Sequence, residues 1–68
     1  MSQRELQLNG EKHFTESATL SALLRELSLE NKKVAVELNR VIVPRENYAT
    51  TPLQNGDELE IIHFVGGG

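Results

Sequence analysis

The hydrophobic residues of this 68-residue chain change their spacing from one segment to the next. In the stretch ELQLN, Leu6 and Leu8 alternate with polar residues, which is typical of a strand with one buried face. The Asn-Gly pair that follows tolerates the positive φ angles of a type I′ turn. Residues 11–14 are therefore predicted to return as a second strand, with Phe14 facing inward.

The spacing then becomes that of a helix. Leucines at positions i, i+3, i+4 and i+7 form one face, namely Leu20, Leu23, Leu24 and Leu27. Thr19 is a suitable N-cap, because its hydroxyl can accept a hydrogen bond from an unpaired backbone N–H. The helix is predicted to be about three turns long, so it needs a sheet to pack on. Core packing is favoured over a partner-binding groove as the role of the leucines.

Turn signals divide the second half of the chain into three further strands and one irregular stretch. The strands are predicted at residues 34–38, 41–43 and 58–65. Pro44 ends the middle one because proline cannot donate to a β-ladder. Residues 45–51 are predicted to be an irregular connection with room for one helical turn, and residues 54–57 (QNGD) form a turn before the last strand.

Four to five strands around one helix predict an α+β domain, in which one sheet packs on a single helix. The helix covers only one face of the sheet, so the other face must be solvated or covered by a partner. In the last strand, Leu59 and Ile61 share one side, and Ile62 and Phe64 share the other. If the first pair packs under the helix, the second pair points outward as an apolar docking patch.

Composition and charge exclude several classes of protein. The chain has no cysteine, which rules out disulfides, thiolate metal sites and a thiol nucleophile. Its net charge is −3 and its basic residues are scattered, so nucleic-acid binding is not expected and a partner with a basic surface is favoured. No stretch is long enough to span a membrane and the start carries no apolar signal, so we expect a cytoplasmic protein.

The titratable residues show no arrangement suited to catalysis. His13 and His63 have no neighbouring ligands at metal-binding spacing, so no metal site is predicted. Glu58 and Glu60 are interpreted as solvated surface residues, and no nucleophile elbow is present. The sequence therefore predicts a protein that is not itself an enzyme and binds no cofactor.

The three glycines at the end of the sequence are the exception. Gly66, Gly67 and Gly68 follow directly on the last predicted strand. Glycine lacks a Cβ, so such a run can pass through a channel too narrow for side chains, and three extended residues reach about 10 Å. A terminal carboxylate on this stem could enter another protein's active site and be activated there with ATP. A frayed chain end is the alternative.

Several stretches together resemble one family. They are VELN at 36–39, IVPR at 42–45, YA at 48–49, NGD at 55–57 and FVGGG at 64–68. VPRENYA followed by LQNGDELEIIHFVGGG is similar to the sulfur carrier proteins of bacterial thiazole (thiamin) biosynthesis, which are ubiquitin-like β-grasp proteins. A terminal Gly-Gly alone is shared by many ubiquitin-like proteins. The resemblance implies a single β-grasp domain with a mixed sheet over residues 1–65 and a flexible glycine tail at 66–68.

The resemblance also implies a mechanism for the chain end. A ubiquitin-activating-like adenylyltransferase would use ATP to adenylate the carboxylate of Gly68. Sulfur from a cysteine desulfurase relay would displace AMP and leave a thiocarboxylate, which thiazole synthase would accept as its sulfur source. Gly66 and Gly67 would form the part of the tail that enters the partner's active site.

The same resemblance makes Ile62, Phe64 and Val65 the candidate docking residues beside the tail. Three other interpretations stay open at this point. A molybdopterin-synthase small subunit shares the fold and the Gly-Gly end, and a modifier conjugated to lysines is related to both. A plain β-grasp interaction domain, whose glycine tail has no function, is the alternative from a different class.

Overall fold

The computed structural model describes residues 3–64, and within them it contains five strands and one α-helix. The strands β1 to β5 are Arg4–Leu8, Glu11–Thr15, Val34–Leu38, Val41–Ile42 and Glu58–His63. The helix α1 is Leu20–Glu26, and a 3-10 helix, Arg45–Thr50, precedes β5. The predictions made for Val65 and for the tail at 66–68 lie outside the described residues.

The five strands form one sheet in the order β2-β1-β5-β3-β4. β1 and β5 run parallel, and the other neighbouring pairs are antiparallel, so the sheet is mixed. The last strand in sequence, β5, is thus the central strand in space. The predicted α+β architecture, a mixed β-grasp sheet on one helix, is confirmed.

Both hairpin turns depend on residues with positive φ. Asn9 and Gly10 have φ angles of 52° and 83°, and Asn39 and Arg40 have φ angles of 51° and 73°. Two successive positive φ angles match the twist of the flanking strands, which is why tight hairpins favour Asn and Gly. Arg40 adopts a conformation that non-glycine residues seldom occupy, so the second turn carries some strain.

The two turn asparagines also hold the central strand. The side-chain amide of Asn9 donates to the carbonyl of Ile61 at 3.1 Å and accepts from the N–H of Ile61 at 2.7 Å. This extends the parallel pairing of β1 with β5, which spans only two residue pairs. The amide oxygen of Asn39 accepts from the N–H of Glu58 at 2.9 Å. β5 is therefore fixed from both neighbouring hairpins.

The helix begins and ends as its sequence dictates, but it is shorter than predicted. The Thr19 hydroxyl accepts from the N–H of Ala22 at 3.2 Å, which confirms the N-cap. At the other end, Ser28 has a φ of 62°, and the N–H of Leu29 donates to the carbonyl of Leu24 at 2.7 Å. This Schellman closure stops the helix after seven residues rather than about three turns.

The core lies between α1 and the sheet, and the predicted leucine stripe supplies much of it. The buried apolar side chains are Leu6, Leu20, Leu23, Leu24, Val36, Leu53, Leu59 and Ile61. Leu27 is half-buried against them. The stripe is therefore a packing surface, as the sequence predicts.

Phe14 is the clearest error of the sequence analysis. The structure leaves its side chain 52% exposed, although it was predicted to face inward. The tight turn pairs Leu8 with Glu11, so Phe14 falls opposite Glu5 on the outer face of the sheet. His13 and Thr15 take the inward positions of β2 instead. The last strand is also shorter than predicted, because β5 ends at His63.

A carboxylate in α1 ties the helix to the end of β2. The side chain of Glu26 accepts hydrogen bonds from the hydroxyls of Thr15 at 2.5 Å and Ser17 at 2.8 Å, and lies 3.1 Å from the His13 ring. The Thr15 hydroxyl is the main cause that lowers the pKa of Glu26, with smaller effects from Ser17 and His13, against a partial burial that raises it.

This network predicts an acid-sensitive contribution to stability. The folded-state pKa of Glu26 lies below its ordinary value of 4.5, so the contribution is complete above that pH and is lost as the pH falls through the folded pKa. Since the carboxylate is partly solvated, the effect should be roughly 1 kcal/mol or less. Urea unfolding at neutral pH and near pH 3 should therefore show a smaller acid loss for Glu26→Gln than for the wild type. Equal losses would contradict the assignment.

Candidate functional site

The sheet face turned away from α1 is the surface left uncovered by the fold, and we call it the open face. The pairing registers place eleven side chains on it or at its margin: Glu5, Gln7, Lys12, Phe14, Ala35, Glu37, Ile42, Glu58, Glu60, Ile62 and Phe64. Large apolar groups and carboxylates are both prominent among them. The open face therefore combines the two properties that a protein-docking surface needs, apolar area and a defined charge.

The apolar part of this face is concentrated where β5 ends. Ile62 and Phe64 are 54% and 55% exposed, as the alternation in β5 predicts. Ala35 lies opposite Ile62 on the neighbouring strand, and the N–H of Phe64 donates to the carbonyl of Lys33 at 3.0 Å. We call Ala35, Ile62 and Phe64 the apolar patch. Its role in docking stays a prediction, and Val65, the third candidate docking residue, lies outside the described residues.

The acidic part of the open face lies beside the apolar patch. Glu37 pairs directly with Glu60 across β3 and β5, and the Glu58 carboxylate is 3.9 Å from the Arg40 guanidinium. A shallow depression of about 220 Å³ runs along these residues, lined by Gln7, Gly10, Glu37, Arg40, Glu58, Leu59 and Glu60. Like charges this close favour a cationic counterpart, so the open face is suited to a partner that presents basic side chains.

Among residues 3–64, no group of three or more His, Cys, Asp or Glu side chains is arranged to hold a metal ion. His13 contacts Glu26, and His63 lies at the end of the central strand, on the side opposite Ile62. Within the same residues, no helix has the length and apolar character needed to cross a bilayer.

The predicted reactive residues lie just beyond the described part of the chain. Gly68, the predicted site of modification, and Gly66 and Gly67, the predicted entering tail, follow four or fewer residues after Phe64. The described chain ends at the apolar patch, on the central strand of the sheet. The structure thus places Ile62 and Phe64, two of the three candidate docking residues, at the end of the described chain, and leaves Val65 and the tail untested.

Two apolar residues of the open face escaped the sequence analysis. Ile42 is 73% exposed because its pairing with Glu37 turns it outward, and Phe14 is exposed because it pairs with Glu5. The signal that could have found them is the hairpin register. A two-residue turn fixes which residues face each other, so the outward position of one strand identifies that of its partner.

Comparison with known proteins identifies the family. The model of the ThiS family matches residues 2–68. The sulfur carrier protein ThiS of Bacillus subtilis is 46% identical over 65 residues, a match that covers 93% of this chain and 98% of that protein. The crystal structure of the thiamine biosynthesis protein ThiS from Geobacter metallireducens superposes with a TM-score of 0.77 at 32% identity, covering 94% of this chain and 99% of that one.

A further relative is much longer than this chain. Thiazole synthase of Paramagnetospirillum magneticum is 49% identical over 65 residues, but the match covers 94% of this chain and only 20% of that protein. The chain therefore spans a fifth of the length of this relative. The family model, the full-length relative and the fold agree with one another, and they support the sulfur-carrier interpretation over the molybdopterin-synthase alternative. The chain belongs to the ThiS family.

Proposed function

We propose that this protein is a cytoplasmic sulfur carrier of thiazole (thiamin) biosynthesis, and that the carboxylate of Gly68 carries the sulfur. The protein acts as a substrate of other enzymes, which recognise its folded domain and modify its chain end, rather than as a catalyst. Family membership over residues 2–68 supports this function. The single structural observation that carries it is the position of the apolar patch, which is exposed at the end of the central strand from which the glycine tail departs.

The chemistry begins with activation of the chain end. A carboxylate is ionised at neutral pH and is a poor electrophile. In an adenylyltransferase related to ubiquitin-activating enzymes, a carboxylate oxygen of Gly68 attacks the α-phosphate of ATP, pyrophosphate leaves, and an acyl-adenylate forms. The outer sulfur of a persulfide on a cysteine desulfurase relay then attacks the acyl carbon and displaces AMP, which joins the chain to the relay through an acyl disulfide. A thiol reductant cleaves this S–S bond, its sulfur forming a disulfide with the relay cysteine, and the chain then ends in a thiocarboxylate.

The thiocarboxylate is the form that delivers sulfur to thiazole synthase. This partner is supported by the relatives that carry that name, in which a segment similar to nearly this whole chain makes up 20% of the protein. Gly66 and Gly67 allow the delivery because a stem without side chains enters a narrow channel. The folded domain, held on the enzyme by the apolar patch, keeps the stem directed at the active site.

The decisive test is the mass of the intact protein after reaction. We expect incubation with the adenylyltransferase, ATP and a sulfur source to replace one terminal oxygen by sulfur, and fragmentation to place the change on Gly68. Omission of ATP and a variant that lacks Gly68 are the controls. A product without sulfur would contradict the proposal. The mass of the protein from its own host would additionally establish whether Gly68 is its terminal residue.

Ile62→Ala should weaken docking without weakening the fold. The side chain is 54% exposed, so its loss removes little core packing, whereas a central apolar contact in an interface costs roughly 2 kcal/mol when it is truncated. We expect the KM of the adenylyltransferase for the carrier to rise more than tenfold, with an unchanged unfolding midpoint. Val41→Ala is the matched control, because Val41 is 65% exposed on the edge strand β4. Equal KM values for the two variants would exclude docking through Ile62.

A further inference from the structure

A second surface adjoins the root of the tail, on the α1 side of the sheet. It is a cleft of about 60 Å³, lined by Leu24, Glu30, Lys32, Lys33, Val34, Arg45 and Tyr48, and we call it the basic cleft. Val34 pairs with His63, and the carbonyl of Lys33 accepts from the N–H of Phe64. The basic cleft therefore lies beside the point where the chain leaves the sheet, and a protein that receives the tail comes close to it.

The cations of this cleft differ from the other basic residues of the chain. All seven lysines and arginines lie within residues 3–64, and four of them contact other described residues. These four are Arg4 with the carbonyl of Leu53, Lys12 with Glu5, Arg25 with Glu30, and Arg40 with Glu58. Within the described residues, the side chains of Lys32, Lys33 and Arg45 make no hydrogen bond or ion pair. Their charges are thus available to a partner.

The charge of the cleft is opposite to that of the whole protein. The chain carries −3, but the cleft has three cations and one carboxylate, and that carboxylate, Glu30, already lies 3.2 Å from the Arg25 guanidinium. Glu37 and Glu60, whose carboxylates form no ion pair with another residue between 3 and 64, are instead on the open face. The two sides of the sheet therefore present opposite charges next to the same tail root, which sets the orientation in which a partner can bind.

The size and shape of the cleft limit what it can hold. A volume of about 60 Å³ accommodates a carboxylate or a similarly small anion but not a nucleoside. Leu24 and Tyr48 supply apolar and aromatic walls, and the Arg45 guanidinium can bind a carboxylate through two parallel hydrogen bonds. The cleft lies on the surface that faces a receiving protein, so a protein side chain suits it better than a free ligand does.

We propose that the basic cleft binds an acidic side chain of the adenylating enzyme, at the border of the site that takes the tail. This inference rests on the proposed function, because it assumes that the tail enters such an enzyme. The contact would speed the approach of the carrier to the enzyme and fix the rotation of the domain about the tail. It would act in addition to the apolar contact made by the open face. Interactions of this kind act mainly on the association rate and weaken as salt is added.

Charge reversal in the cleft tests the proposal. Lys32→Glu and Arg45→Glu should each raise the KM of the adenylyltransferase for the carrier about tenfold at low ionic strength, with little change in kcat. Glu16→Lys is the matched control, since it changes the charge by the same magnitude at an exposed residue just after β2, the opposite edge of the sheet from β4. We expect it to leave KM within about twofold, because Glu16 belongs to neither the open face nor the basic cleft. Arg45→Lys, which keeps the charge but loses the two parallel hydrogen bonds, should give a KM between those of the wild type and Arg45→Glu.

The salt dependence separates a charge effect from a structural one. Near 1 M salt the screening length falls to about 3 Å, so the KM values of wild type and Arg45→Glu should converge.

Unchanged KM values for both cleft variants at low salt, with a wild-type protein that is adenylated normally, would overturn this inference and leave the proposed function intact. Absence of adenylation in the wild type would overturn both. Inorganic phosphate or AMP can also be titrated into the free protein while the NMR shifts of the Lys33 and Arg45 amides are followed. Saturable shifts, together with unchanged KM values, would assign the cleft to a free anion and overturn the protein contact.

Discussion

Gly67→Ala is expected to reduce adenylation of the carrier by about 100-fold while the folded domain keeps its stability. The added methyl group meets the wall of a channel built for bare backbone, and a displacement of the reacting carboxylate by about 1 Å is enough for a loss of this size. The core is made of side chains between Leu6 and Ile61, so the unfolding midpoint should not change. Pyrophosphate release measures the activation, and thermal unfolding measures the stability.

Gly56→Ala is the control for Gly67→Ala, because it makes the same substitution at a glycine in the folded domain and should affect stability rather than activation. Gly56 has a φ of 90°, and a Cβ at this position would meet open space, so the substitution introduces backbone strain without a clash. It should lower stability by about 1 kcal/mol and leave activation unchanged, since Gly56 precedes β5 at the end remote from the tail. Normal adenylation of Gly67→Ala would show that the tail does not pass through a narrow channel.

Leu24→Ala should lower the free energy of unfolding by roughly 2–5 kcal/mol. The Leu24 side chain is 3% exposed and belongs to the core between α1 and the sheet. A domain of this size has only a small margin of stability, so such a loss is expected to leave a substantial unfolded fraction at physiological temperature. Urea unfolding followed by circular dichroism measures the change.

Ile62→Ala is the matched control for the core substitution, because it removes three carbon atoms, as Leu24→Ala does, but from an exposed site. We expect it to change the free energy of unfolding by less than about 0.5 kcal/mol. Leu24→Ala should therefore lower the free energy of unfolding, whereas Ile62→Ala should weaken docking and leave folding nearly unchanged. A near-neutral result for Leu24→Ala would contradict the packing of α1 on the sheet.

The elements that could be predicted from the sequence are those determined by neighbouring residues. The leucine spacing of α1 and the Asn-Gly turn before β2 are local signals, and both are confirmed. The alternation in β5 correctly separated the buried Ile61 from the exposed Ile62. In each case the relevant contacts lie within a few residues, so hydrophobic periodicity carries the information.

The errors arise where a distant or conformational constraint outweighs the local pattern. Phe14 is apolar, but the register set by the preceding turn places it outward. The predicted length of α1 was too great because Ser28 ends the helix by adopting a positive φ. Serine seldom has this conformation, so its presence in the sequence does not predict a helix end. The basic cleft brings Arg45 next to Lys32 and Lys33 from another part of the chain, so no reading of neighbouring residues could have assembled it.

The tail is attached to the strand that is best placed to bear a mechanical load. β5 pairs with β3 over five residue pairs and is bonded to β1 and the Asn9 amide on its other side. A pull on the chain end along the strand loads these hydrogen bonds together, in shear, rather than one after another as in the peeling of an edge strand. When an enzyme releases the modified tail, the resistance of β5 to extraction should therefore exceed that of β4, whose pairing spans two residue pairs. Under the proposed function, the sulfur would therefore be joined to the domain through a strand that is paired on both sides.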